Sequence, residues 1–348
     1  MARAYLKGGG LEVYIEGELV TDLAEVARYV KKGGVAIGLF TYHHAPWENV
    51  SVRKRWPDVL FIVGRPTTPP AMSASCKNVA VGGVEAERYR EAVRAAKKAL
   101  ARGEVFQLVV SRFVKYETNC RPAEILHKLL KTTEGRYYFF LEAGELGLAG
   151  VSPEILVKVR DGVAVSGPIG GTKPRGATEV EDRSLEAELL NSVKERAEHI
   201  MLVDSVRNDL GRICRWGTVT PTATLAVEKY NYVQHLVSYI QCRLDRLYTP
   251  LDAVAALNPT TTVVGVPKPR AMELIDSLEV EPRGPFAGSF GVATRDWADF
   301  AVVIRSIYLE GSHAYLWAGA GVVADSTPEG ELRETEVKMA PLRKALDY

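Results

Sequence analysis

The sequence predicts an α+β fold with mainly antiparallel sheet, and three features point to it. Strand-like runs follow one another through tight turns, as where Asp161-Gly162 separates residues 155–159 from 163–166. Amphipathic helical runs, clearest over 85–102, alternate with these strand groups. A strand-rich tail (286–293, 300–310 and 314–318) precedes a last helix. In chain order, strands are expected at 11–15, 34–42 and 59–63 with one helix at 23–31, then an exposed loop rich in Pro, Thr and Ser over 66–75. Helix 85–102 leads into a β-branched run, 104–114, long enough to be a central strand. Helix 123–131 and strands 137–142, 146–150, 155–159 and 163–166 follow. Residues 185–212 read as one long helix with an apolar stripe at Leu185, Leu189, Val193, Ile200, Val203 and Leu210. Strand 218–220, a helix over 232–245, a loop at 259–269 and helix 270–278 lead into the tail. One structural domain is expected, residues 1–80 forming its N-terminal part and 81–348 the remainder.

The 348 residues suffice for a large core, and a net charge of +1 gives no electrostatic case for nucleic acid or an acidic membrane. No apolar run approaches the roughly 20 residues a bilayer span needs, and no signal peptide stands at Met1. Cys76, Cys120, Cys214 and Cys242 lack Cys-x-x-Cys spacing, so a zinc site is disfavoured and reduced thiols in a cytoplasm are the default. Scarce Gln beside abundant Arg and Glu hints at a thermophile, where an intracellular disulfide is less surprising.

Two acidic pairs stand out. Glu195 and Glu198 in KERAEH, and Glu331 and Glu334 in GELRETEVK, are each three apart on a helical run. Such carboxylates share one helix face and repel, which is tolerated in solvent and otherwise calls for a cation. Two pairs far apart in sequence form a candidate cage for a hard divalent ion, best magnesium. SGPIGGTKPRG, residues 166–176, reads as a Gly-rich connection whose amides, with Lys173 and Arg175, suit an anion. WAGAGVVADSTPEGE offers bare backbone at Gly319, Ala320 and Gly321. His235 lies in an expected helix with a pKa suited to proton transfer. Arg305, in VVIRS, occupies an apolar strand where a guanidinium needs an anionic partner, from protein or substrate.

Taken in order, FQLVVSR, GVSPE, PIGGTKPRG, KERAEHIMLVDSVRNDLGRI, VQH, GVPKPRAMELI, RGPFAGSFG, VVIRS, GAGVVADS and ELRETEVK resemble the chorismate-utilising enzymes. Among them, the chain resembles the large (component I) subunits of anthranilate synthase. The resemblance implies two sheets enclosing the site with helices packed outside, and magnesium on the ring carboxylate of chorismate. It implies Glu198 and Glu334 as direct metal ligands, with Glu195 and Glu331 completing the cage partly through water. It makes Glu154 the general acid for the departing hydroxyl and sets His235 and Thr262 beside the ring. Arg305 and Lys338 would hold the enolpyruvyl carboxylate with amides at Gly319, Gly321 and near Thr172, the walls including Gly170, Gly171 and Ala320.

Two positions discriminate within the family. Gln107 stands where water-activating members carry a lysine, and a neutral amide is a poor base. Gly170 stands where one group of aminodeoxychorismate synthases carries a nucleophilic lysine. Ammonia addition and pyruvate elimination to anthranilate are therefore expected, as a step in tryptophan biosynthesis. The ammonia would come from a glutamine amidotransferase (component II) in a hetero-oligomer, since no Cys-His-Glu glutaminase is recognisable. Aminodeoxychorismate or isochorismate/salicylate synthesis, or a catalytically impaired binding paralogue, are the alternatives. Phe286 replaces a tyrosine whose hydroxyl would contact the substrate, and Thr262 sits in an altered loop. The segments that form the tryptophan inhibitor pocket are not found, so weak or absent tryptophan inhibition is expected.

Overall fold

The computed structural model describes residues 2–47, 49–230 and 233–347. Its strands form two sheets joined through one shared strand, Leu11–Val20, whose first part pairs with Ala2–Gly8 and whose end pairs with Val59–Gly64. The first sheet runs Pro66–Thr67, Leu11–Val20, Ala2–Gly8, Tyr137–Ala143, Leu146–Ser152, Ser306–Glu310, His313–Val322 and Gln107–Thr118. Asn78–Gly83 and Gly265–Val266 pair with the last of these. The second continues from Val59–Gly64 through Val35–Phe40, Ser289–Ala293, Trp297–Val302, Ile155–Arg160, Val163–Gly167 and Val233–Arg243. Thr220–Lys229 and Ile169–Pro174 flank that last strand. All of these pairings are antiparallel, as the hairpin-rich pattern implied.

Apolar side chains from both sheets, including Phe40, Phe61, Phe139, Phe290 and Phe300, form the main core. A second cluster on the outer face of the first sheet is covered by helices Pro122–Thr132 and Pro328–Asp347, through Ile125, Leu129, Met339 and Leu342. Helices thus lie outside, as expected. Asp161 and Gly162 both take positive φ (52° and 71°), the two-residue turn that matches the twist of a hairpin.

Several expectations are corrected. Residues 233–243 form a strand, not a helix, and His235 lies on it; Tyr232, where that helix was to begin, lies outside the described residues. The segment pairs on both edges and is buried on both faces over 234–238, which erases the two-residue alternation that would mark a strand. SGPIGGTKPRG is not a loop: Ile169–Pro174 pairs with residues 233–237 around a bulge at Gly171 (φ 62°). Lys173 and Arg175 turn to Glu188 and Asp182 at 3.1 and 2.7 Å instead of awaiting a ligand. The long helix is two, Glu179–Asn191 and Val193–Gly211, broken at Ser192, which is extended (ψ 111°). The break resets the phase, so Leu189, Leu202, Val206 and Leu210 are buried while Val193 and Ile200 are exposed.

Strand 300–310 is likewise two, Trp297–Val302 and Ser306–Glu310, in different sheets. Strands Ala2–Gly8 and Asn78–Gly83 were not anticipated, and the strand expected at 218–220 is Thr220–Lys229. The cysteines, expected reduced, form Cys76–Cys120 and Cys214–Cys242 with Cα separations of 4.9 and 6.0 Å. Among the described residues no helix is long and apolar enough to cross a membrane.

Candidate active site

Two places where the chain passes from one sheet to the other hold the first two site residues. Glu154 lies between Leu146–Ser152 of the first sheet and Ile155–Arg160 of the second. Arg305 lies where Trp297–Val302 of the second sheet returns to Ser306–Glu310 of the first. It adopts φ 49°, a conformation rarely held without compensation in a non-glycine residue. The amide of Val302 donates to the Glu154 carbonyl (3.0 Å) and that of Val151 to the Arg305 carbonyl (3.1 Å), tying the two crossings together. Sheet crossings leave backbone and polar side chains without ladder partners, so a polar site forms there inside an apolar sandwich.

Glu154 is buried, and its Oε1 accepts a 2.7 Å hydrogen bond from Thr262 on the short helix Thr261–Val264. Burial pushes its carboxyl up to about 7, against the opposing pull of the Thr262 bond, the Ile169 amide and the Lys338 charge. It is therefore substantially protonated near neutrality, which suits a general acid. His235 is held at Nδ1 by Thr172 Oγ1 (2.9 Å) and the Gly171 carbonyl (3.3 Å), and Tyr230 meets its ring edge-on at 5.8 Å. Burial, then the nearby Arg305 charge, lowers its pKa to about 4, so the ring is neutral at ordinary pH. The Arg305 guanidinium donates to the Glu134 carbonyl (3.3 Å), and burial lowers its pKa.

Lys338, on Pro328–Asp347, donates to the Gly319 carbonyl (2.9 Å) and to Glu334 (2.6 Å) and acts electrostatically on both Glu154 and His235. One field thus links Glu154, His235, Arg305 and Lys338.

The four acidic residues occupy two helices, Val193–Gly211 and Pro328–Asp347. Burial raises the Glu198 carboxyl, and Glu195, Glu331 and Glu334 push it further while Lys194 opposes. Burial also raises Glu331; a hydrogen bond with Ser326 opposes this, and Glu334 adds to it. Glu331 Oε2 is buried without a hydrogen-bond partner among the described residues. Hard oxygen donors, mutual repulsion and an orphaned carboxylate oxygen fit a divalent cation. The set is not preassembled: among the described residues no three His, Cys, Asp or Glu side chains stand ready to hold an ion, and Glu334 is turned to Lys338.

Gly171 admits Glu195, since a Cβ there would lie 2.9 Å from Glu195 Oε2, and at Gly170 a Cβ would lie 2.8 Å from His199 Nδ1. Gln107 is buried against Gly321, its Oε1 without a hydrogen-bond partner among the described residues. Gly319, Ala320 and Gly321 lie on His313–Val322 opposite Ser111, Val110 and Val109. Phe286 instead belongs to the core, stacked on Trp317 at 5.7 Å and beneath Arg283. The sequence reading missed Tyr230, Ser326 and the Ile169 amide. Only Ser326 had a local signal, the turn-forming Asp325-Ser326 pair.

A chain that places these motifs on two joined antiparallel sheets matches the chorismate binding enzyme family over residues 22–344, and it belongs to that family. Among curated relatives it is similar to anthranilate synthase component 1 of Saccharolobus solfataricus, 43% identical over 259 residues, covering 74% of this chain and 62% of that one. The Aeropyrum pernix component 1 is 41% identical over 286 residues, covering 80% and 65%. In both, the match spans less than two thirds of the relative. The crystal structure of anthranilate synthase component I from Streptococcus pneumoniae aligns with a TM-score of 0.79 at 27% identity, covering 98% and 90%. A putative isochorismate synthase from Bacillus anthracis shares the fold with a TM-score of 0.82 at 24% identity, covering 99% and 96%.

Proposed function

We propose that this chain is the catalytic subunit of an anthranilate synthase, a carbon–oxygen lyase that converts chorismate and ammonia to anthranilate and pyruvate. The observation that carries the chemistry is the buried Glu154–Thr262 pair, a carboxyl whose pKa burial raises to about 7, so that a large share still holds its proton near neutrality. In the first half of the reaction Glu154 gives its proton to the departing ring hydroxyl, and Thr262 fixes the carboxyl orientation. Arg305 and Lys338 hold the enolpyruvyl carboxylate, which orients the ring for attack. Glu195, Glu198, Glu331 and Glu334 would hold magnesium. When bound, it neutralises charge on the ring carboxylate as the nucleophile adds beside it. Gln107 supplies no base for water, and a lysine at Gly170 would drive its Cβ into His199, so neither the hydrating nor the lysine-adduct chemistry of relatives is favoured.

A separate glutamine amidotransferase subunit would deliver ammonia, and a cytoplasmic setting in a thermophile accommodates the two disulfides. Incubation with chorismate, magnesium chloride and an ammonium salt should give anthranilate fluorescence that a chelator abolishes. Glutamine alone should give none until the partner subunit is added, and tryptophan should inhibit weakly or not at all. Salicylate or isochorismate as the product would overturn the assignment.

A further inference from the structure

The two ring nitrogens of His235 have unlike surroundings. Nδ1 faces the Gly171 carbonyl at 3.3 Å and the Thr172 hydroxyl oxygen at 2.9 Å, whereas Nε2 is buried with no hydrogen-bond partner among the described residues. A carbonyl only accepts, so its approach to Nδ1 is favourable only when Nδ1 carries the proton. The Thr172 oxygen, at the shorter distance, then accepts from the same N–H. Thr172 is itself fixed, since its Cα lies opposite that of His235 in the ladder between Ile169–Pro174 and Val233–Arg243. The bulge at Gly171 brings carbonyl and hydroxyl to the same ring nitrogen.

We propose that Thr172 is a positioning residue: the Gly171 carbonyl sets His235 as the neutral Nδ1–H tautomer, and the Thr172 oxygen, accepting from the same N–H, orients the ring so that the Nε2 lone pair is the proton acceptor offered to the substrate ring. Its use rests on the anthranilate synthase reading. In the second half of that reaction the C–H bond at the newly aminated ring carbon breaks, its proton passing to Nε2 and its electron pair entering the ring. The C–O bond to the enolpyruvyl group breaks with its pair on oxygen. The imidazolium then returns the proton to the methylene carbon of that group, which leaves as pyruvate. The opposite tautomer would place a hydrogen at Nε2 and block the first transfer.

The test uses the full chain labelled with ¹⁵N-histidine, the His235 signal being assigned by its loss in His235→Asn. At neutral pH the wild type should show protonated Nδ1 and unprotonated Nε2. Thr172→Val keeps the Gly171 carbonyl, so Nδ1 should stay protonated, but the loss of the second acceptor should shift the Nδ1 signal and lower kcat with ammonium at least tenfold, with the chorismate KM changed less than twofold. Thr172→Ser should restore both the Nδ1 signal and kcat. A protonated Nε2 in the wild type, or an unchanged kcat in Thr172→Val, overturns the assignment. A wild type that makes no anthranilate overturns the reaction reading alone, because the Nδ1 signals of wild type and Thr172→Val still decide the role of Thr172.

Discussion

A carboxyl sealed between two sheets is a liability for folding and an asset for proton donation, and Glu154 is both. Its pKa of about 7 in the folded chain, against 4.5 for a free glutamate, means that the folded state binds this proton more tightly than the unfolded state does. The stability linked to it is fully present below about pH 4.5 and is lost as pH rises towards 7, to a total of roughly 3 kcal/mol. Glu154→Gln should therefore abolish turnover while raising the melting temperature relative to wild type, by more at pH 8 than at pH 5. Thermal melts at the two pH values check it; a variant equally or less stable at pH 8 would contradict the burial argument. In the wild type, kcat/KM for chorismate should decline above about pH 7 as the acid form is lost. GVSPE marked this residue through resemblance alone. Nothing local in the sequence shows that residue 154 lies at a sheet crossing, because burial there is made by strands far apart in the chain, Ile155–Arg160 against Trp297–Val302 and Leu146–Ser152 against Ser306–Glu310.

At the scale of elements, Ser192 decides how the first acidic pair is presented. Its amide closes one helix on the Glu188 carbonyl, and its hydroxyl accepts from the Glu195 amide (3.2 Å) to open the next. The cap thus fixes the first turn of the helix that carries Glu195 and Glu198. Ser192→Ala should cost about 1 kcal/mol of stability. It should also raise the magnesium concentration needed for half-maximal activity, with kcat at saturating metal nearly unchanged. An unaltered metal dependence would show that the cap serves folding alone.

The helical period of residues 185–212 was legible, but the break was not, since Asn191-Ser192 differs little from any polar pair on a helix. The strand Val233–Arg243 failed for the opposite reason. Pairing partners on both edges and burial on both faces, supplied by the rest of the chain, override a local pattern that fits a helix equally well.

At the scale of the whole molecule, the site exists because two sheets, the crossings between them and two distant helices converge, and the chain carries two covalent ties, one of them next to an acidic helix. Cys214–Cys242 links the segment after helix Val193–Gly211 to the strand bearing His235, and Cys76–Cys120 fastens the end of the exposed loop to the start of helix Pro122–Thr132. The bridges close loops with separations of 28 and 44 residues, for which chain entropy gives about 4 kcal/mol each. For a chain of this length that is a drop of about 5 °C in Tm per bridge removed. Paired Cys→Ser replacements, Cys214→Ser with Cys242→Ser and Cys76→Ser with Cys120→Ser, should each lower Tm by about that amount, and together by nearly the sum, because the bridges share no residues. Ammonium-dependent turnover well below the melting transition should persist in both, since neither bridge touches Glu154, His235 or Arg305. Thiol titration of the unfolded, unreduced wild type should find no free cysteine. Four titratable thiols would mean that the sheets and helices hold the site together unaided.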